Sequence, residues 1–285
     1  MKPSPGPGTL TVVSTSLGNP ADLSPRAIAV LREADVIVAE DTRSARQLLL
    51  GAGAGTVPRI LSCFDANEGA RATEVAALLA GGARVALISE AGTPLVSDPG
   101  YRIVAAAVDA GARVVPVPGP SALLAALVAA GLPTDKFLFL GFPPRKPGAR
   151  RRLFESVRAL PFTLVLYESP MRVGATLVDL AATVGAARRA CVARELTKPY
   201  EELVRDDLGA LAARYATDRP LSEVTLVIEG AAASAAEDID DADLLERARA
   251  LIAQGQSTRD TARELTTLTG RQRRDVYKLI TAARG

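Results

Sequence analysis

The sequence predicts an α/β protein in which strands and helices alternate, with a small helical unit at the C-terminal end. Short runs rich in Val, Ile, Leu and Phe recur along the chain, and stretches with apolar residues three and four positions apart lie between most of them. Apolar strands that alternate with helices are typical of parallel sheets covered on both faces. The chain has 285 residues, close to the upper limit for one hydrophobic core. We therefore expect two α/β domains and an appended module.

The individual strands and helices are placed by these two patterns. Strands are predicted at residues 9–13, 36–39, 84–89, 113–117, 137–140, 163–167, 190–193 and 225–228. Helices are predicted at residues 23–31, 68–79, 101–108, 121–130 and 173–182. We expect Ser24 to cap the first of these helices, with Pro25 at its first position, because both residue types favour a helix start.

Breaks in the alternation predict the domain boundaries. Residues 1–8 alternate Pro with Gly, resemble no signal peptide and predict a disordered lead-in. An N-terminal α/β domain, 9–131, ends where Leu-Pro-Thr-Asp interrupts the pattern, and a C-terminal α/β domain, 132–230, follows. An Ala/Ser-rich and then acidic stretch, 231–243, is a predicted linker. Residues 244–285 form a helix-turn-helix-like module with helices at 244–253, 258–268 and 271–283.

The composition narrows the chemistry and the location. There is no histidine, which excludes Ser-His and Cys-His nucleophile pairs, His-based zinc sites and imidazole acid–base catalysis. Any catalysis must use carboxylates, Lys, Tyr, Arg, backbone amides or a reactive cofactor, and we expect no metal. Two isolated cysteines, Cys63 and Cys191, predict core packing rather than a disulfide framework. This use of cysteine favours a cytoplasmic location. No apolar run approaches the ~20 residues of a membrane helix, so we expect no membrane partner.

Three constrained loops follow predicted strands, at residues 14–20, 89–100 and 116–121. Ligands of parallel sheets bind beyond the carboxyl ends of the strands, so these loops predict a site. The second loop has two Gly, two Pro and several short polar residues, which favours a rigid surface that presents backbone groups. We also expect Asp98 with Pro99 to cap the next helix. The loops lack the lysine of a phosphate-binding loop and the GxGxxG pattern, and stiff connections without a ligand are the alternative.

Seven motifs in these and neighbouring segments occur in one order along the chain. They are residues 8–19, Ala39-Glu40-Asp41-Thr42-Arg43, residues 89–100, 118–121 and 131–142, Tyr167-Glu168-Ser169-Pro170, and Arg194-Glu195-Leu196-Thr197-Lys198. In this order the chain resembles the tetrapyrrole methylase superfamily over about residues 8–230. Within it, the chain is most similar to the branch that methylates the ribose 2′-hydroxyl of a cytidine in small-subunit ribosomal RNA.

The resemblance implies a two-domain tetrapyrrole-methylase-like fold with S-adenosylmethionine in a cleft between the domains, in a homodimer. Carried over by position, the cofactor contacts are Leu17, Gly18, Ala91, Gly92, Thr93, Val96, Ser121, Ala122, Tyr167 and Leu196. The chain departs from the branch at Glu90, where Asp is common, and at residues 63–68 and Met171, where histidines are common. Those histidines are therefore dispensable to a shared mechanism, unless this protein is inactive.

A methyl transfer to a ribose hydroxyl needs a group that takes up the hydroxyl proton. Without histidine, the candidates near the inferred cleft are Asp41, Glu195 and Lys198. The positive sulfonium of the cofactor would favour the neutral, basic amine of Lys198. Lys198 pinning a substrate phosphate is the alternative, as is a structural ion pair between Glu195 and Arg194.

The RNA substrate, in the decoding region of the small ribosomal subunit, would be held by basic residues. The candidates are Arg43, the run Arg145, Lys146, Arg150, Arg151 and Arg152, and Arg273 and Arg274 in the C-terminal module. From Arg247 onward the chain has nine basic and three acidic residues. Basic runs are more often solvated faces than binding sites, so the alternatives stay open. These are a precorrin-type tetrapyrrole methyltransferase and a non-catalytic RNA-binding protein.

Overall fold

The computed structural model describes residues 8–53, 57–218, 220, 222–232, 239–269 and 271–283. Most of the predicted lead-in, 1–7, and the centre of the predicted linker, 233–238, lie outside the described residues. The strands are β1 (Thr9–Val13), β2 (Val36–Ala39), β3 (Arg59–Ser62), β4 (Arg84–Ile88), β5 (Arg113–Val117), β6 (Phe137–Phe139), β7 (Thr163–Glu168), β8 (Arg189–Arg194), β9 (Glu202–Asp207) and β10 (Val224–Ile228).

The helices are α1 (Pro25–Glu33), α2 (Thr42–Gly51), α3 (Glu68–Ala80), α4 (Tyr101–Asp109), α5 (Ala122–Ala129), α6 (Pro147–Val157), α7 (Val173–Val184), α8 (Leu208–Thr217), α9 (Asp241–Ala253), α10 (Thr258–Thr269) and α11 (Arg273–Ala282). Every predicted strand and helix is confirmed, with ends shifted by a few residues. The sequence patterns missed β3, β9, α2, α6 and α8. None of the helices in the described part of the chain is long and apolar enough to cross a membrane.

The first sheet is parallel, with strand order β3-β2-β4-β1-β5. Val13 at the end of β1 lies opposite Ile88 of β4 and Val117 of β5. Apolar clusters cover both faces of this sheet, one around Leu31 and Ile37 and the other around Leu79 and Ile103. Because the three strands end in register, the loops that follow them start side by side at one edge.

The second sheet corrects the expectation of parallel strands. Its order is β6-β7-β10-β8-β9, and only β6 and β7 run parallel, whereas the other neighbours are antiparallel. A short loop, without a helix, joins β8 to β9, and antiparallel neighbours need no longer crossover. The edge strand β9 has four charged residues among its six, so it lacks the apolar run that predicts a strand. The amino end of β10 thus lies beside the carboxyl ends of β7 and β8.

Helix starts show one confirmed prediction and one error. The Ser24 hydroxyl accepts a hydrogen bond from the Ala27 amide, and Pro25 is the first residue of α1, as predicted. Asp98 does not cap α4. The cap position is Gly100, with φ of 131°, and the carboxylate of Glu68 accepts from the amides of Gly100 (2.8 Å) and Arg102 (3.0 Å). A carboxylate from another helix therefore replaces the local cap.

Glu168 is a fully buried carboxylate at the end of β7. It accepts hydrogen bonds from the Ser169 amide (2.7 Å), the Thr176 hydroxyl (2.7 Å) and the Arg172 guanidinium (2.8 Å). Arg172 also donates to the carbonyl of Pro143, in the loop after β6. Burying a charge is costly unless it is paired and hydrogen-bonded, and both conditions hold here. This network joins β7, the start of α7 and the loop after β6.

Two compact units make up the chain. Residues up to Val157 together with Phe162–Glu229 form the first, which contains both sheets, and Arg158–Pro161 with the residues from Gly230 onward form the second. In the second unit α9, α10 and α11 pack around Leu244, Leu265, Val276 and Ile280. The placement of domain boundaries at residues 131 and 230 stays a prediction.

We expect Glu168→Gln to lower the free energy of unfolding by about 3 kcal/mol, because it leaves buried donors facing an amide. Denaturant unfolding measures the change. The matched control is Glu229→Gln, whose carboxylate pairs with the exposed Arg189 at the surface, and which should cost under about 1 kcal/mol. Equal costs for the two variants would contradict the role given to the Glu168 network.

Candidate functional site

A cavity of about 610 Å³ lies beyond the carboxyl ends of the first sheet; we call it the main cavity. One wall comes from the loops of the first sheet, and the other from the adjacent ends of β7, β8 and β10. Its lining consists of Leu17, Glu40, Glu90, Ala91, Gly92, Thr93, Val96, Ser97, Asp98, Ser121, Ala122, Phe142, Tyr167, Ala193, Arg194, Glu195, Leu196, Lys198, Ser222, Glu223, Val224 and Thr225. Its volume falls in the range of about 300–1,000 Å³ that is usual for cofactor sites.

Hydrogen bonds hold the three loops of the first sheet against one another. The Thr93 hydroxyl donates to the carbonyl of Pro120 (2.9 Å) and lies 3.1 Å from the hydroxyl of Ser14. The Thr15 amide donates to the carbonyl of Gly92 (2.8 Å). Gly92 has φ of 77°, and a Cβ there would lie 2.9 Å from a methyl carbon of Leu17. The loops that predicted a site are therefore one rigid floor.

Strained backbone conformations are concentrated in two loops beside the main cavity. Among the described residues, the non-glycine residues with positive φ are Leu95, Ser97, Glu195 and Thr197, with φ between 50° and 70°. All four lie in the two loops, 89–100 and 195–201, that border the main cavity. Such conformations cost about 1–3 kcal/mol each and persist where the surroundings enforce them, most often at functional sites. The strain supports a functional role for the main cavity.

The structure brings together most of the residues predicted to contact a cofactor. Nine of the ten line the main cavity: Leu17, Ala91, Gly92, Thr93, Val96, Ser121, Ala122, Tyr167 and Leu196. Gly18 lies against the side chain of Lys198 instead, where a Cβ would come within 2.5 Å of the lysine Cε. Gly18 therefore leaves room for the stem of Lys198, which lines the main cavity.

Lys198 and Glu195 form an ion pair in the main cavity, with 3.2 Å between Nζ and Oε1. The neighbouring Ser222 hydroxyl and the Lys198 ammonium hold the pKa of Glu195 below its usual range. The pair that was anticipated between Glu195 and Arg194 is not formed. Arg194 binds the carboxylate of Glu202 instead, at 2.6 Å, because the two residues lie opposite each other on β8 and β9.

Tyr167 links the two walls of the main cavity. Its hydroxyl accepts a hydrogen bond from the Leu123 amide (3.0 Å) in the first turn of α5, where the Ser121 side chain makes no cap. Its ring contacts Phe139 and Phe142 edge-on or tilted, at 4.9 and 5.6 Å between centroids. Burial raises the pKa of Tyr167. The phenol is thus a fixed, neutral part of the wall.

Four carboxylates that the motif comparison did not assign line the main cavity: Glu40, Glu90, Asp98 and Glu223. Burial raises the pKa of Glu40, and so does the nearby negative charge of Glu90. Burial together with Glu40 and Glu223 raises the pKa of Asp98 to about 6. Like charges that crowd a partly buried site raise the pKa of its carboxyl groups towards the values that suit a general base. The main cavity is therefore acidic and suited to a cationic ligand.

Asp41 lies outside the main cavity. Its Oδ1 caps α2 by accepting from the amides of Arg43 (2.6 Å) and Ser44 (3.4 Å). Asp41 also lines a second cavity of about 190 Å³, which we call the α2 cavity, between α2 and the loops after β1 and β4. Arg43 is exposed on the first turn of α2. Of the charged residues that follow β2, Glu40 thus lines the main cavity and Asp41 caps α2.

The predicted RNA-facing residues are exposed, with one exception. Arg145, Lys146 and Arg151 lie at the surface around the start of α6, and Arg273 and Arg274 at the surface of the first turn of α11. Arg150, also expected to face RNA, is buried and pairs with Asp179 of α7 at 2.5 Å. Arg150, Arg151 and Arg152 lie inside helix α6, so successive residues point in different directions and one of them faces the core.

Comparison with known proteins identifies relatives along nearly the whole chain. A family model described as tetrapyrrole (corrin/porphyrin) methylases matches residues 9–212. The ribosomal RNA small subunit methyltransferase I of Mesorhizobium japonicum is 43% identical over 272 residues, which cover 95% of this chain and 90% of that protein. The protein of the same name from Mycobacterium tuberculosis is 41% identical over 278 residues, or 97% of this chain and 96% of that protein.

A solved structure shows the same fold. The uroporphyrin-III C-methyltransferase of Thermus thermophilus in complex with S-adenosylhomocysteine has a TM-score of 0.55. It is 22% identical, and the alignment covers 77% of this chain and 96% of that one.

We expect Asp98 to titrate with a midpoint near pH 6, above the ordinary value of 3.8, because of burial and its acidic neighbours. Carbon-13 NMR of carboxyl-labelled protein measures the midpoint, and Asp98→Asn assigns the signal. Glu40→Gln removes one repelling charge and should lower the midpoint, whereas Asp109→Asn on the exposed end of α4 should not change it. A midpoint near 4 in the unmodified protein would contradict the acidic character of the main cavity.

Proposed function

The chain belongs to the tetrapyrrole methylase family, and from this we propose that it transfers a methyl group from S-adenosylmethionine to the ribose 2′-hydroxyl of a cytidine in small-subunit ribosomal RNA. The observation that carries the proposal is the identity of 41–43% along almost all of the chain to proteins named ribosomal RNA small subunit methyltransferase I. The acidic, strained main cavity supplies a site of suitable size and charge for the methyl donor.

The residues of the main cavity fit the proposed cofactor. Ala91, Gly92 and Thr93 present backbone groups on a rigid floor, and Leu17, Val96 and Leu196 add apolar surface. The carboxylates of Glu40, Glu90, Asp98 and Glu223 complement a cationic ligand. When bound, S-adenosylmethionine supplies an electrophilic methyl group on a positively charged sulfonium, so the protein has to supply orientation and a proton acceptor.

Asp98 is the proton acceptor that the geometry supports best. It lines the main cavity, and Ser97, with φ of 70°, and Pro99 fix the backbone on both sides. Its pKa of about 6 leaves it ionised at neutral pH, yet more basic than an ordinary carboxylate. Asp41 faces the α2 cavity, and Lys198 is paired with Glu195. We therefore assign Lys198 the alternative role, holding a phosphate of the substrate.

The exposed basic residues around α6 and α11 would bind the RNA backbone through charge, and such contacts weaken as salt is added. A homodimer is consistent with α5, whose Leu124 and Val128 side chains are 49% and 73% exposed on an apolar helix. The homodimer and the cytoplasmic location stay predictions.

Removal of this protein from its host should eliminate one 2′-O-methylcytidine from small-subunit ribosomal RNA. Mass spectrometry of the RNA measures the loss, and purified protein with S-adenosylmethionine should restore the modification on small subunits from the deletion strain. Uroporphyrinogen is the control substrate and should stay unmethylated. An unchanged modification map, or methylation of uroporphyrinogen alone, would refute the proposal.

Asp98→Asn should slow single-turnover methylation by roughly 10²- to 10⁴-fold, because a general base contributes about that factor. The base acts when deprotonated, so the rate of the unmodified protein should fall as the pH drops through the pKa of Asp98, which is about 6 in the ligand-free protein and lower beside a cationic cofactor. The variant should lose this dependence. Binding of S-adenosylmethionine, measured by calorimetry, should change only a few-fold. Lys198→Met is the comparison: if it, and not Asp98→Asn, abolishes the pH dependence, Lys198 is the base.

A further inference from the structure

The side chain of Phe142 is an apolar ring that the protein covers only in part. Phe142 lines the main cavity and is 43% exposed, so part of its ring is open to the cavity or to the solvent beside it. The ring packs against that of Tyr167, with 5.6 Å between the centroids and 57° between the ring planes. Single exposed apolar residues are ordinary, but this one borders the proposed site. A ligand in the main cavity can therefore cover the rest of the ring.

Hydrogen bonds fix the backbone on both sides of Phe142. The carbonyl of Gly141 accepts from the Tyr167 amide (3.0 Å), and the carbonyl of Pro143 accepts from the Arg172 guanidinium (2.6 Å). Both donors lie at or just after β7, so the loop is tied to the second sheet. A ring on a fixed backbone loses little entropy when a ligand covers it, and this preorganisation favours binding.

The same loop lies against the loop that carries Asp98. Gly141 has φ of 60°, and a Cβ there would lie 3.3 Å from the hydroxyl oxygen of Ser97. Phe142 follows Gly141 and Asp98 follows Ser97, and both line the main cavity. In a nucleotide the base and the 2′-hydroxyl are carried by adjacent carbons of one ribose. A single nucleotide can therefore contact the Phe142 ring with its base while its hydroxyl approaches Asp98.

Two cations follow the ring along the chain. After Phe142 come Pro143 and Pro144, and then Arg145 and Lys146, both exposed. The acidic main cavity repels phosphate groups, whereas these two side chains attract them. Proteins that hold single-stranded nucleic acid combine a positive surface along the backbone with aromatic rings on which bases stack. The loop after β6 has both features.

We propose that Phe142 stacks on the base of the nucleotide that is methylated, while Arg145 and Lys146 bind the phosphates beside it. The inference rests on the proposed function, because it needs an RNA nucleotide in the main cavity. A nucleotide of folded RNA has to leave its own stack to enter a protein cavity, which costs stacking free energy. Phe142 replaces one stacking partner that the base loses. Because every base has a π-face, the ring adds affinity and does not choose between bases.

The test measures methylation of small subunits from a strain that lacks this protein, at saturating S-adenosylmethionine. Phe142→Leu keeps an apolar side chain and removes the ring, so kcat/KM should fall by about 5- to 150-fold, the value of one aromatic–base stack. Phe142→Tyr keeps the ring and should stay within about threefold of the unmodified protein. The matched control is Phe137→Leu at the amino end of β6, where a phenylalanine of similar exposure, 39%, does not line the main cavity. It should leave kcat/KM unchanged.

A ribose without a base separates stacking from any other role of the ring. Small subunits reassembled with RNA that carries such a ribose at the methylated position still present the 2′-hydroxyl. Under single-turnover conditions the unmodified protein and Phe142→Leu should methylate this substrate at equal rates, because no base is left to stack. If Phe142→Leu is as impaired without the base as with it, the proposal is overturned.

Other results also overturn the proposal while the proposed function stands, because the unmodified protein remains active in each. These are an unchanged kcat/KM in Phe142→Leu and an equal fall in Phe142→Leu and Phe142→Tyr. A fall that more S-adenosylmethionine reverses would assign the ring to the cofactor. A change of molecular mass in sedimentation of Phe142→Leu would mean that a second copy of the chain covers the ring. If the unmodified protein methylates no small subunits, the proposed function fails and this inference fails with it.

Discussion

The buried carboxylate of Glu168 is the constraint on which the β7 side of the main cavity depends. Its three hydrogen bonds fix the turn from β7 to α7, and Arg172 extends the network to the loop after β6. Tyr167 immediately precedes Glu168, and Phe142 immediately precedes Pro143, to which Arg172 donates. Both aromatic rings are therefore held by the same charge. Tyr167 in turn accepts from α5, so the second sheet is tied to the helix that follows the floor of the cavity.

This anchoring explains how the site sustains its strained backbone. Leu95, Ser97, Glu195 and Thr197 together cost several kcal/mol, at about 1–3 kcal/mol each. The loop of Leu95 and Ser97 is held through Thr93, which joins Ser14 to Pro120. The loop of Glu195 and Thr197 is held by the Lys198 pair and by Glu201, whose carboxylate accepts from the Thr197 amide at 2.6 Å. Rigid surroundings thus place Asp98 and Glu195 in the cavity at a local cost.

The sequence predicted the floor of the site well and its acidic lining poorly, for physical reasons. Gly and Pro at the ends of apolar strands indicate where a parallel sheet presents its loops, and these loops form the floor of the main cavity. Of the ten cofactor contacts that the family resemblance implies, nine line that cavity. Glu223 was missed because it precedes β10. In the parallel sheet that the sequence predicts, the start of a strand lies far from the carboxyl ends where ligands bind. In the structure β10 runs antiparallel to β7, so its start lies beside the main cavity. Asp98 was taken for a helix cap, since the Asp-Pro pair favours one and no local pattern shows that Glu68 supplies the cap. Arg150 was expected to be exposed like its basic neighbours. It is buried because its position along α6 turns its side chain towards the core, and the basic run does not indicate which residue does so.

The acidic lining offers an answer to how the proposed proton transfer could proceed without histidine. A bound cation would lower the pKa of the carboxylates around it, which would keep Asp98 ionised while its neighbours repel one another less. Without a cation, burial together with Glu40 and Glu223 raises the pKa of Asp98 to about 6. If Asp98 is the proton acceptor, its affinity for a proton would therefore depend on the charge of the bound ligand, and a single carboxylate in neutral surroundings would respond less. The crowding of Glu40, Glu90, Asp98 and Glu223 would then itself be part of the chemistry.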